Sequence, residues 1–228
     1  MPTDIATRPA FLFDLDGTLV DSVYEHVLAW RAALREMQIE LATWRIHRRV
    51  GMSDGLTLSA LQRETNRRLS AEEVERLKRL HTEAFLERID QLRPLPGARE
   101  LLNTLTRLSV PWAIATSGVE ERARRAVKVL ELGSEVQLIT REDVVHGKPF
   151  PDLFLAGARR LKVDIEDCIV VGDSVWDVLA ARRARALGVG LLCGGYGHDE
   201  LVQAGAYRVY EDPAELYRHV DELGVQVT

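Results

Sequence analysis

Cysteine is nearly absent from this chain: Cys168 and Cys193 are the two in 228 residues. So sparse a set makes no disulfide framework. Both lie in apolar runs that read as buried strands, so free core thiols are expected and nothing points to an oxidising compartment. Long apolar runs are missing too. No window approaches the roughly 20 residues that a membrane-spanning helix needs. Residues 1–10 contain Asp4, Arg8 and two prolines and lack the apolar stretch of a signal peptide. A cytoplasmic protein with no membrane partner is the expectation. An excess of positive charge is also missing, since the formal net charge is -5. A general nucleic-acid binder leans basic, so no nucleic-acid partner is expected, and any anion must be held by local groups. Repeats and low-complexity tracts are absent, and 46% hydrophobic with 29% charged residues is ordinary for a globular chain.

Short apolar runs, in contrast, recur. Residues 10–13, 112–115, 136–139, 168–171 and 189–192 each read as a buried strand. Helical spacing lies between them, as in Ala98, Leu101, Leu102, Leu105 and Leu108, or Val175, Val178, Leu179 and Ala186. Alternation of this kind predicts an α/β fold with a Rossmann-like parallel sheet and helices on both faces. Residues 22–93 break the alternation. Val23, Val27, Trp30, Leu34 and Met37 make one apolar stripe; Val74, Leu77, His81, Ala84, Phe85, Ile89 and Leu92 make another. Ser70 and Glu73 have the spacing of a capping box, and Pro94 to Gly97 stop the pattern. The division expected is a catalytic core of residues 1–21 and 94–228 with a small all-helical insert, residues 22–93, above the first strand's end.

Four stretches place polar groups just after expected strands, the edge at which open parallel sheets bind ligands. In Asp14-Leu15-Asp16-Gly17-Thr18, alternation along an extended backbone turns Asp14 and Asp16 the same way. Two such carboxylates repel unless a proton or a hard cation lies between them. A calcium loop is excluded, because Leu19 occupies the required glycine position and a strand, not a helix, precedes it. Thr116-Ser117-Gly118 offers hydroxyls and backbone N–H groups to an anion. Gly147-Lys148-Pro149 holds a lysine in a restrained loop. Gly172-Asp173-Ser174 ends a very apolar strand on a carboxylate, with Ser174 suited to cap the next helix and Asp177 in its first turn. His146 reads as structural or exposed.

With those four motifs in that order, the sequence resembles the haloacid dehalogenase-like superfamily, of the phosphatase type with a helical cap, including the phosphoglycolate phosphatase and beta-phosphoglucomutase-like members. Residues 194–197 and 204–206 fit the same resemblance. It implies Asp14 as nucleophile and Asp16 as acid and base. Mg2+ would lie between Asp14, the backbone carbonyl of Asp16 and Asp173. Thr116, Ser117 and Lys148 would hold the phosphoryl group, and Asp177 would support the metal or orient Lys148. Asp16 sets the chain apart from dehalogenating and phosphonate-cleaving members, which lack an acid there. A small phosphorylated metabolite is the implied partner, and a monomer or weak homo-oligomer the expected state. A phosphomutase returning the phosphoryl group to a sugar remains the alternative. A receiver module is half this length and has no place for the insert.

Specificity is expected from the insert. Arg45, Arg48 and Arg49 precede Gly51-Met52-Ser53, and Arg48 or Arg49 is expected to meet a polar or anionic part of the substrate. Gly51 and Gly55 would let this loop close. The clusters Arg122-Arg124-Arg125 and Arg182-Arg183-Arg185 read as solvated helix faces.

Overall fold

A computed structural model describes residues 9–133 and 135–226. The leader-free reading of the first residues falls largely on residues 1–8, outside the described ones. The chain opens with β1 (Ala10–Phe13) and β2 (Val20–Asp21). Then come α1 (Val23–Glu36), α2 (Thr43–His47), α3 (Asp54–Thr65) and α4 (Ala71–Leu86). Next are β3 (Arg93–Pro94), α5 (Ala98–Arg107), β4 (Trp112–Ala115) and α6 (Glu120–Lys128). β5 (Leu138–Ile139), α7 (Asp152–Leu161), β6 (Cys168–Gly172) and α8 (Val175–Ala184) follow. β7 (Leu187–Leu191), α9 (His198–Ala204), β8 (Arg208–Tyr210) and α10 (Pro213–Arg218) complete the order.

Among the described residues six strands form one parallel sheet, ordered β5-β4-β1-β6-β7-β8. Alternation along β1 decides which helices cover which face. Phe11 and Phe13 pack with Leu101, Leu102 and Leu105 of α5, Ala123 of α6 and Leu216 of α10. Ala10 and Leu12 pack with Leu153, Phe154 and Ala158 of α7 and Ala180 and Ala181 of α8. The fold is the expected Rossmann-like α/β sheet. Several bounds differ. β5 covers two residues because it is an edge strand paired only with β4. Cys193 lies in the 3-10 turn after β7, half-buried, and its thiol donates to Gly17 O at 3.1 Å. Cys168 is buried in β6.

The insert has its own small core, in which Val27, Leu34, Met37, Ile46, Leu58, Leu61 and Leu77 meet. Ser70 and Glu73 form the capping box that opens α4. That helix ends at Leu86, before Ile89 and Leu92, which fall in a 3-10 turn and the approach to Pro94. Proline disfavours helix at the preceding residue, and β3 starts there. β2 and β3 pair antiparallel, Val20 with Pro94 and Asp21 with Arg93, so the chain enters and leaves the insert side by side.

Candidate active site

From β1 the chain moves outward through β4 to β5; from β6 it moves the other way through β7 to β8. The gap between β1 and β6 is therefore the switch point, where side chains just beyond the strand ends are unobstructed. Asp14 and Asp173 stand there. Their strands are in register, Phe13 against Val171, and Asp14 N donates to Val171 O at 2.9 Å. Lys148 comes from a loop with a cis Lys148–Pro149 peptide. It is 0% exposed. Its Nζ bonds Asp14 Oδ1 and lies 2.7 Å from Asp177 Oδ1. Asp177, in the first turn of α8, accepts from Ser174 N at 3.1 Å and from the Ser174 hydroxyl. Ser174 begins the helix as expected, but its hydroxyl donates to the carboxylate. Thr18 Oγ1 donates to Asp173 Oδ1 at 2.9 Å. Gly17, with φ +84°, and Gly194 let backbone approach Asp173 so closely that a Cβ at either position would overlap its carboxylate.

Asp14, Asp173 and Asp177 can each offer one oxygen within 4.8 Å of the others, and all three are buried. One lysine does not balance three carboxylates. Burial pushes the Asp14 and Asp173 carboxyls up, and the neighbouring carboxylates add to it. Burial works against the Lys148 charge, but Asp14 and Asp177 outweigh it and push its pKa up. An excess of hard oxygen donors around one fixed cation fits a further cation of the Mg2+ type.

Asp16 faces other company. Its Oδ1 accepts from Ser22 Oγ at 2.6 Å and lies 3.2 Å from His26 Nε2. Burial raises its pKa, but His26, the Ser22 hydroxyl and Arg122 together outweigh burial and bring it to about 2. A cavity joins the two halves. Asp14, Asp16 and Thr116 lie on the core side of it; His26, Trp30, Arg49 and His81 lie on the insert side.

The sequence model of the haloacid dehalogenase-like hydrolases matches residues 9–185. The chain belongs to that family. It is an enzyme, a haloacid dehalogenase-like hydrolase. It is 34% identical to hexitol phosphatase A of Escherichia coli (strain K12), over 76% of this chain and 78% of that one. It is 30% identical to the phosphoglycolate phosphatase of Xylella fastidiosa (strain 9a5c), over 92% and 86% of the two chains. It superposes on the crystal structure of a hydrolase from Pseudomonas syringae with a TM-score of 0.91 and 51% identity, covering 94% of this chain and 99% of that one.

Within this haloacid dehalogenase-like fold, Asp14, Asp16, Thr116, Lys148, Asp173 and Asp177 come together from sequence positions far apart. Thr116 is buried, and its Oγ1 accepts from Gly118 N at 3.0 Å. Ser117 also lines the cavity, but its hydroxyl donates to Gly51 O of the insert at 3.1 Å. The Asp16 side chain stands outside the Asp14–Asp173–Asp177 group, which leaves its backbone carbonyl as its expected route to a metal.

The two insert arginines part company. Arg49 is buried, lines the cavity and pairs with Glu64. Arg48 turns away from it. Its guanidinium pairs with Glu200 and lies 3.9 Å from the centre of the Tyr196 ring. Its carbonyl accepts from Tyr196 OH at 2.9 Å and Trp176 Nε1 at 3.2 Å. Arg122 corrects the solvated reading of its cluster. It is 5% exposed, lines the cavity, and donates from Nη1 to Thr82 Oγ1 of α4 at 2.6 Å. Position i of an exposed-looking basic helix gave no sign of this, because the insert that covers it is remote in sequence. Arg124 and Arg125 are exposed and pair along the helix with Glu120 and Glu121. His26 was not distinguished either. Its spacing of four from Ser22 and from Trp30, one helical face, is the signal that marks it.

Proposed function

We propose that this chain is an Mg2+-dependent phosphatase that hydrolyses a small phosphate monoester through an aspartyl-phosphate on Asp14. The observation that carries this reading is Lys148, fully buried and held between Asp14 and Asp177, with Asp14 and Asp16 both opening onto one cavity.

Asp14 attacks phosphorus in line; its new O–P bond forms as the bond to the leaving oxygen breaks. Asp16 gives that oxygen a proton, then takes one from the water that attacks the aspartyl-phosphate, which frees inorganic phosphate and Asp14. In the ligand-free site Asp16 is ionised. A phosphoryl dianion beside it raises its pKa and so favours the proton it must donate. Lys148 and Thr116 hold the phosphoryl oxygens, and Asp177 aims Lys148. Asp14, Asp173 and the Asp16 carbonyl would hold Mg2+, which when bound offsets the charge between carboxylate and phosphate. Residues 22–93 act as a cap that keeps bulk water from the phosphorylated Asp14, and Arg49 is the cap arginine that meets the substrate.

Phosphate release from a panel of small esters tests this, with Mg2+, with chelator and with Asp14→Asn. Release that needs Mg2+ and Asp14 is expected, and the best ester defines the substrate class. Isomerised sugar phosphate in place of free phosphate would replace this reading with the phosphomutase.

A further inference from the structure

The insert holds a second, smaller cavity of about 20 Å³. Trp30, Arg49, Val50 and Thr57 line both it and the cavity that carries Asp14 and Asp16, so the two share a wall. The rest of its lining is Leu34, Leu41, Ile46, Leu58 and Leu61, brought together by α1, α2, α3 and the chain between α1 and α2. Leu34, Ile46, Leu58 and Leu61 belong to the small core of the insert. A hollow in such a core costs stability in proportion to its size unless something fills it.

The lining restricts what that filling is. A hollow of this size takes about one water, or about one or two carbon atoms. A water needs about two to four polar partners, and the leucine and isoleucine side chains offer none. Polar side chains of the lining, Arg49 and Thr57, stand only on the shared wall, and the Arg49 guanidinium pairs with Glu64. An apolar group that enters past this wall is the better match. In-line attack supplies such a group. Asp14 and the leaving oxygen must lie on opposite sides of phosphorus, so the leaving group extends from the core side of the cavity towards Trp30 and Arg49.

We propose that this hollow is a leaving-group subsite: it takes the apolar end of the alcohol from which the phosphoryl group departs, so the preferred substrates are phosphate monoesters that end in a short alkyl group. The inference rests on the reading of the Asp14 cavity as the phosphate-ester site. Arg49 then meets the polar middle of the substrate, and Leu58 and Leu61 of α3 meet its end. Specificity is set by side chains that touch neither phosphorus nor metal.

Straight-chain alkylphosphonates, which bind without turnover, test this by calorimetry in the presence of Mg2+. Methylphosphonate reads the phosphoryl site, and each added carbon reads the path beyond it. Affinity should rise about four-fold per methylene once the chain reaches the hollow, and level off after about one or two carbons. A terminal hydroxyl on the chain should cancel the rise. Leu61→Phe fills the hollow from the side away from Asp14. It should lose about ten-fold in affinity for the best alkyl chain and stay within about two-fold for methylphosphonate. Leu61→Ala enlarges the hollow and should move the plateau to a longer chain, which keeps the test open if the larger side chain does not fold. A series flat in chain length, a rise equal for hydroxyl-ended chains, or a rise unchanged in both variants would overturn the proposal and leave the hollow a packing defect. The phosphatase reading is tested apart, by phosphate release from the matching alkyl phosphates. The expected phosphonate series with no ester hydrolysed would sink that reading and leave the alkyl subsite standing.

Discussion

Beneath the cavity, as a floor, three carboxylates share one lysine; over it, as a roof, basic groups face one carboxylate of the core. Asp14, Asp173 and Asp177 crowd Lys148 below, and His26, His81, Arg49 and Arg122 line the cavity with Asp16. Asp14 and Asp16 are two residues apart and chemically identical, yet burial lifts the first while His26 and Ser22 overcome burial and lower the second. Surroundings, not residue type, set the two carboxyls apart. The floor is built by strand ends, which fix position; the roof is built by helices, which bring side chains to it.

The sharpest way to break this contrast is to neutralise one of the two aspartates. Asp14→Asn removes the attacking oxygen, and kcat should drop by at least about 10³-fold in a phosphate-release assay. Next in size is the fixed cation of the floor. Lys148→Met leaves Asp14 and Asp177 buried without a counter-charge, and should cost about 3–5 kcal/mol in urea unfolding without metal. Adding Mg2+ should return part of it, if the floor takes a cation. The roof predicts a pH effect of opposite origin. A depressed folded-state pKa contributes stability above the unfolded value near pH 4, and that stability is lost as pH falls through about 2. Asp16→Asn should therefore lack about 2 kcal/mol of the wild type's acid-induced loss, read by unfolding at pH 5 and at pH 2. The smallest effect lies outside both halves. Arg48→Ala breaks an exposed pair with Glu200 and should change stability by less than about 1 kcal/mol and kcat/KM by less than about three-fold. A large loss of kcat/KM in Arg48→Ala would move the roof's boundary outward.

The floor was legible in the sequence and much of the roof was not. Asp14, Thr116 and Asp173 directly follow apolar runs, where the rule of strand ends finds them. Lys148 sits in a loop beyond β5 and Asp177 in a helix, and these stood out only through the order of the four motifs together. Roof residues sit on helices, where facing depends on packing partners. Trp30 and His81 read as members of apolar stripes and do pack, but they also wall the cavity. Arg122 read as solvated, because its partner Thr82 is 40 residues away on another element. Arg48 and Arg49 are adjacent in the turn that follows α2. One of them reaches the cavity and the other Glu200, a choice that sequence spacing alone does not make. β8 escaped notice as a short edge strand carrying Arg208.

β2 and β3 have a consequence for the molecule's history. Because the chain departs at Asp21 and returns at Arg93 through neighbouring, hydrogen-bonded strands, the sheet does not register how many residues lie between them. A two-residue turn or a whole bundle would close the same ribbon. The strand ends of the floor can therefore keep their geometry whatever length of chain is carried between Asp21 and Arg93.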